Sequence, residues 1–139
     1  MPLVTTTILL PDPAHRLWPL VRWDGRLCDW YPGAVAMTVA GHGKGALRRL
    51  HLADGATLLQ RLDHVSRTAS AYSYSILHSP YPVADLLAQI RVQPMADAHA
   101  LLTWTATFRA TTDQSEDTVR RLYDDGAERL RRLLVGVPP

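Results

Sequence analysis

The sequence predicts an α+β fold: a curved antiparallel sheet of about seven strands wrapped around one long C-terminal helix, in the order β-α-α-β6-α. Three observations predict it. The last regular stretch, 114–135, carries a single apolar stripe at helical spacing. Between Val35 and Ala110 six apolar runs are divided by turns too short for the crossover helices that parallel strands require. The later runs alternate with period two, which leaves one sheet face apolar and the other wet.

Leu3–Leu10, rich in Val, Thr, Ile and Leu and ended by Pro11, reads as the first strand. Asp12 followed by Pro13 reads as a helix start, a capping side chain and then proline at the first helical position. This helix places Ala14, Leu17, Trp18 and Val21 on one side, and Pro19 limits it to about Val21. The segment Arg22–Gly33 is loop or a short second helix, closed by Pro32 and Gly33. Strands follow at Val35–Ala40, Ala46–Leu52, Ala56–Asp63, Ala69–Leu77, Asp85–Pro94 and Leu101–Ala110. Their connections are GHGKG, ADG, a His64–Thr68 turn, HSPYPV and MADAHA, of which ADG is a hairpin signal.

Alternation assigns the faces. Leu102, Trp104, Ala106 and Phe108 point one way and Thr103, Thr105, Thr107 and Arg109 the other. Leu86, Ala88, Ile90 and Val92, and likewise Tyr72, Tyr74 and Ile76, join the apolar side. In the final helix Val119, Leu122, Tyr123, Leu130, Leu133 and Leu134 form the stripe, opposite a face of mixed Arg, Asp and Glu. Acidic residues begin that helix and arginines end it, as the macrodipole favours. Gly126 interrupts the stripe, which predicts either close packing against the sheet or room for a guest molecule beneath the helix.

A chain of 139 residues fits one domain, 1–139. Its formal charge of +2, with most arginines among carboxylates on one helix, argues against a nucleic-acid face. The lone Cys28 excludes an internal disulfide and gives no metal-binding spacing. The first residues show neither a basic n-region nor a long apolar run, so a cytoplasmic protein without membrane insertion is expected. No histidine pair has metal spacing, so neither metal nor cofactor is expected. GHGKG precedes no helix and reads as a hairpin turn, and Ser115 reads as a helix cap.

The stretches LWPLVRWDGRLCDWYPG (17–33), GALRRLHLADG (45–55), LLQRLDHV (58–65), AYSYSILHSPYPVADLLA (71–88), LTWTATF (102–108) and EDTVRRLY (116–123) resemble the START-like, or SRPBCC, superfamily. That superfamily includes the birch-pollen allergen, bacterial polyketide cyclases and aromatases, and plant abscisic-acid receptors. The likeness runs over nearly the whole chain and is greatest to the small polyketide cyclase/dehydrase and lipid-transport-like proteins. It implies the helix-grip fold, with a hydrophobic cavity between sheet and C-terminal helix. It further implies a cavity lined by Trp30, Tyr31, Arg48, Leu50, Leu52, Leu58, Gln60, Leu62, Tyr72, Tyr74, Ile76, Tyr81, Leu86, Ala88, Trp104, Val119 and Tyr123. The turns ADG and HSPYPV would form its mouth. Gln60 and Trp104 stand where the hormone receptors carry acidic side chains, so a water network on carboxylates is not expected.

Three residues are candidates for chemistry: Arg48, Tyr72 and Tyr123. Strand parity points Arg48 inward beside Leu50 and Leu52, and a buried guanidinium needs a partner. A ligand carboxylate or enolate would serve, as would a salt bridge or a snorkelling position at the rim. In the cyclases that the chain resembles, an inward arginine is thought to anchor or polarise a polyketide carbonyl. The tyrosine hydroxyls suit donation to a ligand carbonyl or weak general-acid work, or they are plain core. The expected partner is therefore a hydrophobic small molecule, aromatic or polyketide-like, bound by a monomer or homodimer. Three functions stay open: a polyketide cyclase, aromatase or dehydratase; a carrier or sensor of such a ligand; or a domain filled by its own side chains that works through a partner.

Overall fold

The structure is a computed structural model in which residues 1–136 are described. Its elements are β1 (Leu3–Leu10), α1 (Ala14–Val21), β2 (Ala34–Ala40), β3 (Leu47–Leu52), β4 (Thr57–Ser66), β5 (Ala71–His78), β6 (Val83–Met95), β7 (His99–Ala110) and α2 (Ser115–Val135). All strand pairs are antiparallel, in the order β1-β7-β6-β5-β4-β3-β2. The meander keeps chain neighbours paired, and β1 returns to the far edge beside β7. This is the expected α+β helix-grip fold.

The core lies between one face of the sheet, α1 and α2. Leu102, Trp104, Ala106 and Phe108 of β7 are buried, as are Leu86, Ala88, Ile90 and Val92 of β6, while Leu87 faces out. The period-two pattern thus sets which side chains meet the helix. Helix α2 presents Val119, Tyr123, Gly126, Ala127 and Leu130 to that core. Its outer face carries the spaced pairs Glu116–Arg120, Asp117–Arg121 and Asp125–Arg129. A hydrogen bond of 2.7 Å from Thr6 Oγ1 to Asp124 Oδ1 ties the helix to β1.

Several element boundaries differ from the expected ones. Pro13 takes the capping position of α1 in extended backbone (φ −68°, ψ 154°), and its carbonyl accepts from Arg16 and Leu17. Asp12 instead approaches Arg16, with 3.5 Å between Oδ2 and Nε. Arg22–Gly33 is a loop holding only a three-residue 3-10 turn, Leu27–Asp29. Strand β4 continues past Asp63 to Ser66, so His64 lies in a strand and not in a turn. A bulge between Leu62 and His64 shifts the register there, and the broken alternation imitates a strand end. Strands β6 and β7 run to within three residues of each other, and Asp97 and Ala98 make the reversal at φ 59° and 57°. Ser115 opens α2 by staple more than by cap. Its Oγ accepts from the N–H groups of Thr111 and Thr112, each at 3.1 Å, and its hydroxyl donates to the Pro82 carbonyl, joining the β7–α2 turn to the β5–β6 loop.

Candidate functional site

Arg48 is the centre of the site. Its neighbours Leu47 and Arg49 point outward, and strand parity sends its guanidinium into the core, where it is 1% exposed. Nε donates to Gln60 Oε1 at 2.7 Å, across the β3–β4 register pair Arg48–Gln60. Nη1 donates to the Trp23 carbonyl at 2.8 Å and to the Tyr72 hydroxyl at 3.3 Å, and that hydroxyl donates to the Val21 carbonyl at 2.7 Å. The guanidinium carbon lies 4.2 Å from the Trp23 ring centroid, 5.4 Å from that of Tyr74 and 5.6 Å from that of Tyr72.

Among the described residues no carboxylate pairs with Arg48. The charge rests on two carbonyl oxygens, a phenol and three aromatic faces. Each cation–π contact contributes about 0.5–2 kcal/mol, against a desolvation cost of several kcal/mol. Two more donors stand unused beside it. Accepting from Arg48 fixes the orientation of the Gln60 amide and turns Nε2 away, and that nitrogen finds no partner. Trp23 Nε1 is likewise buried without a partner. Arg48 Nη2 donates to no described residue.

A second layer lies between Arg48 and α2. Trp104 stacks on Tyr123 at 3.8 Å and 11°, meets Trp30 edge-on at 5.7 Å, and donates from Nε1 to the Tyr74 hydroxyl at 3.1 Å. Gly126 lies over this group: a Cβ there would stand 2.9 Å from Trp104 Cζ3 and 3.4 Å from Trp30 Cζ3. The gap in the α2 stripe is therefore filled by indole rings, neither by strand backbone nor by empty space. Burial pushes the Tyr74 hydroxyl up to about 12 and those of Tyr31 and Tyr123 well above the usual phenol range, with neighbouring phenols adding to the shift. At neutral pH these three groups are hydrogen-bond donors.

The residues expected to line a cavity converge on this one interior. Trp30, Tyr31, Leu50, Leu52, Leu58, Gln60, Leu62, Tyr72, Tyr74, Leu86, Ala88, Trp104, Val119 and Tyr123 are buried with Arg48, and Ile76 and Tyr81 sit half-buried at its edge. Sequence reasoning missed Trp23, which covers Arg48 with both its ring and its carbonyl. Its only sequence signal is an aromatic residue held in a tight turn by Gly25. A pocket of about 690 Å³ opens beside Trp23, between the end of α1, the β2–β3 turn and the end of β4. That turn and the ADG turn lie at opposite ends of β3, so the pocket is at the far end of the sheet from the expected mouth.

Comparison with known proteins places this architecture. The family described as polyketide cyclase / dehydrase and lipid transport matches residues 1–135. The chain belongs to that family. An uncharacterized Bacillus thuringiensis protein is 26% identical over 96% of this chain and 99% of its own, with a TM-score of 0.88. At lower identity the likeness is of fold alone. The di-domain ARO/CYC BexL of the BE-7585A biosynthetic pathway is 20% identical, with a TM-score of 0.79, over 99% of this chain and 48% of its own. Norcoclaurine synthase of Thalictrum flavum, solved with dopamine and hydroxybenzaldehyde, is 14% identical, with a TM-score of 0.70, over 99% of this chain and 88% of its own. No curated protein matches the chain. This polyketide cyclase/dehydrase-family chain is thus an SRPBCC domain of the hydrophobic-ligand-binding kind. None of its described helices is long and apolar enough to cross a membrane.

Proposed function

We propose that this domain binds a hydrophobic, oxygen-bearing small molecule of aromatic or polyketide type, with Arg48 donating to the ligand oxygen. The observation that carries this reading is the buried Arg48 guanidinium, unpaired with any described carboxylate and flanked by the idle donors Gln60 Nε2 and Trp23 Nε1. Donors in excess of acceptors suit a ligand that brings acceptors. The apolar and aromatic surround suits the rest of such a molecule, and family membership supports the aromatic or polyketide class.

Holding the ligand is favoured over acid–base turnover. No carboxylate or imidazole hydrogen-bonds to Arg48 or to the buried tyrosine hydroxyls among the described residues. With the hydroxyls of Tyr31, Tyr74 and Tyr123 pushed up, these groups donate and do not abstract protons. Trp104, Tyr123 and Tyr74 occupy the centre, so a guest beneath α2 displaces rings and does not enter a vacant chamber. A carrier or sensor role follows. The likeness to an ARO/CYC protein supports a second reading, in which Arg48 polarises a ligand carbonyl and the dry aromatic walls fold a reactive chain.

Native mass spectrometry of freshly purified protein, followed by extraction and small-molecule analysis, tests the proposal. A bound aromatic or acyl species is expected, and incubation with it separates storage from turnover. Protein that arrives empty, and whose melting temperature no hydrophobic ligand raises, would overturn it.

A further inference from the structure

We infer that the ligand enters at the α1 end of the sheet, past Trp23, and that its class is an aromatic or aliphatic monocarboxylate. This rests on the binding role proposed above and adds the route, the gate and the charge of the ligand.

The pocket of about 690 Å³ at this end has an apolar wall of Trp18, Trp23, Val39, Leu62 and Val65. Its polar rim is basic: Arg22 and Arg67 face one carboxylate, Asp24, whose Oδ1 is already 3.2 Å from Arg22 Nε. Arg67 has no salt-bridge partner among the described residues. An apolar wall under a net positive rim selects an amphipathic anion and disfavours a cation.

Trp23 stands between this pocket and Arg48. It lines the pocket, lies 4.2 Å from the guanidinium, and carries a buried Nε1 with no partner. Its backbone is pinned on both sides. The Trp23 carbonyl accepts from Arg48 at 2.8 Å, and Gly25 is so tightly seated that a Cβ there would lie 2.8–2.9 Å from the carbonyls of Pro19, Leu20 and Arg22. Opening is therefore rotation of the indole and not movement of the loop. With the ring turned aside, Arg48 Nη2 is the guanidinium nitrogen free to donate a charge-assisted hydrogen bond to a carboxylate oxygen, Nε and Nη1 being held by Gln60, the Trp23 carbonyl and Tyr72. Leu62 borders both the pocket and the buried interior, so the wall is continuous from one to the other.

The probes are 2-naphthoate and its uncharged isostere 2-naphthamide, followed by calorimetry and by the indole N–H resonances, assigned with Trp→Phe variants. Naphthoate should bind about tenfold or more tightly than naphthamide, the range for hydrogen bonds to a charged group, and should move the Trp23 resonance. The pocket-filling pair Val39→Phe with Val65→Phe, and separately Arg67→Glu, should each weaken naphthoate about threefold or more while far-UV circular dichroism and melting stay as in the parent; Val39 and Val65 are 39% and 37% exposed. If naphthoate binding needs Arg48 yet ignores all three substitutions and leaves Trp23 unmoved, entry lies elsewhere, and this inference falls while the binding role stands. Equal affinity for the two probes overturns the carboxylate class. Failure of both probes to bind the parent protein overturns the inference together with the binding role.

Discussion

Replacing Gly126 by Ala adds one methyl group to the centre of α2 and sets two effects of opposite sign against each other. Ala is favoured over Gly in a helix interior by about 1 kcal/mol. The added carbon, however, would stand 2.9 Å from Trp104 Cζ3, 3.4 Å from Trp30 Cζ3 and 3.5 Å from Pro32 Cδ. Trp104 has little freedom to retreat. It is stacked on Tyr123 at 3.8 Å and bonded through Nε1 to Tyr74, while Trp30 is held by its own Nε1 bond of 2.8 Å to the Leu20 carbonyl. Overpacking a tight core costs about 1–3 kcal/mol. The held rings make the strain term the larger, and the net loss should reach up to about 2 kcal/mol, or up to roughly 7 °C in melting temperature for a chain of this size. Urea unfolding with an unchanged slope is the assay. A gain of about 1 kcal/mol would mean that only helix propensity was felt. The rings would then have slack beneath α2, and the account of a filled interior would be refuted.

Arg48→Leu should keep the fold and weaken a carbonyl or carboxylate ligand by about 1.5–3 kcal/mol in calorimetric titration; unchanged affinity would remove the anchoring role. Ser115→Ala removes the bonds from the Thr111 and Thr112 N–H groups and to the Pro82 carbonyl, leaving Thr111 N–H and Pro82 only their mutual bond of 3.3 Å, and should cost about 1 kcal/mol in urea unfolding without changing ligand affinity. Alkaline pH should unfold the domain. The Tyr74 hydroxyl titrates at about 12 when folded against 10.0 as a free phenol, so the folded state holds the proton more tightly. The stability this contributes is complete below pH 10 and is lost as pH rises through about 12, with Tyr31 and Tyr123 acting in the same direction. Absorbance of ionised tyrosine near 295 nm should rise with loss of structure above pH 10, and full ionisation in a folded protein would contradict the burial.

The fold was legible because its signals are local and periodic. Leu102, Trp104, Ala106 and Phe108 alternate with Thr103, Thr105 and Thr107, and that pattern alone fixes which face of β7 is buried. The same parity put Arg48 inside between two outward neighbours, and the sign order of α2 put its charged face in water. Parity failed at Asp63, where a bulge steps the register of β4 and carries His64 into a strand.

Tertiary structure decided what no period encodes. Whether Trp104 and Tyr123 enclose a space or fill it depends on a ring–ring distance of 3.8 Å between residues on different elements. Trp23 follows no repeat, so its place over Arg48 becomes visible only when the loop after α1 is folded against β3. The absence of a described carboxylate beside Arg48 is likewise a relation among distant segments. The sequence determined the sheet, its buried face, the long helix and an inward arginine, because side-chain periodicity is written residue by residue. Only the structure decided that indole rings occupy the gap at Gly126 and that unused donors surround Arg48, because packing and hydrogen-bond satisfaction are properties of neighbours in space.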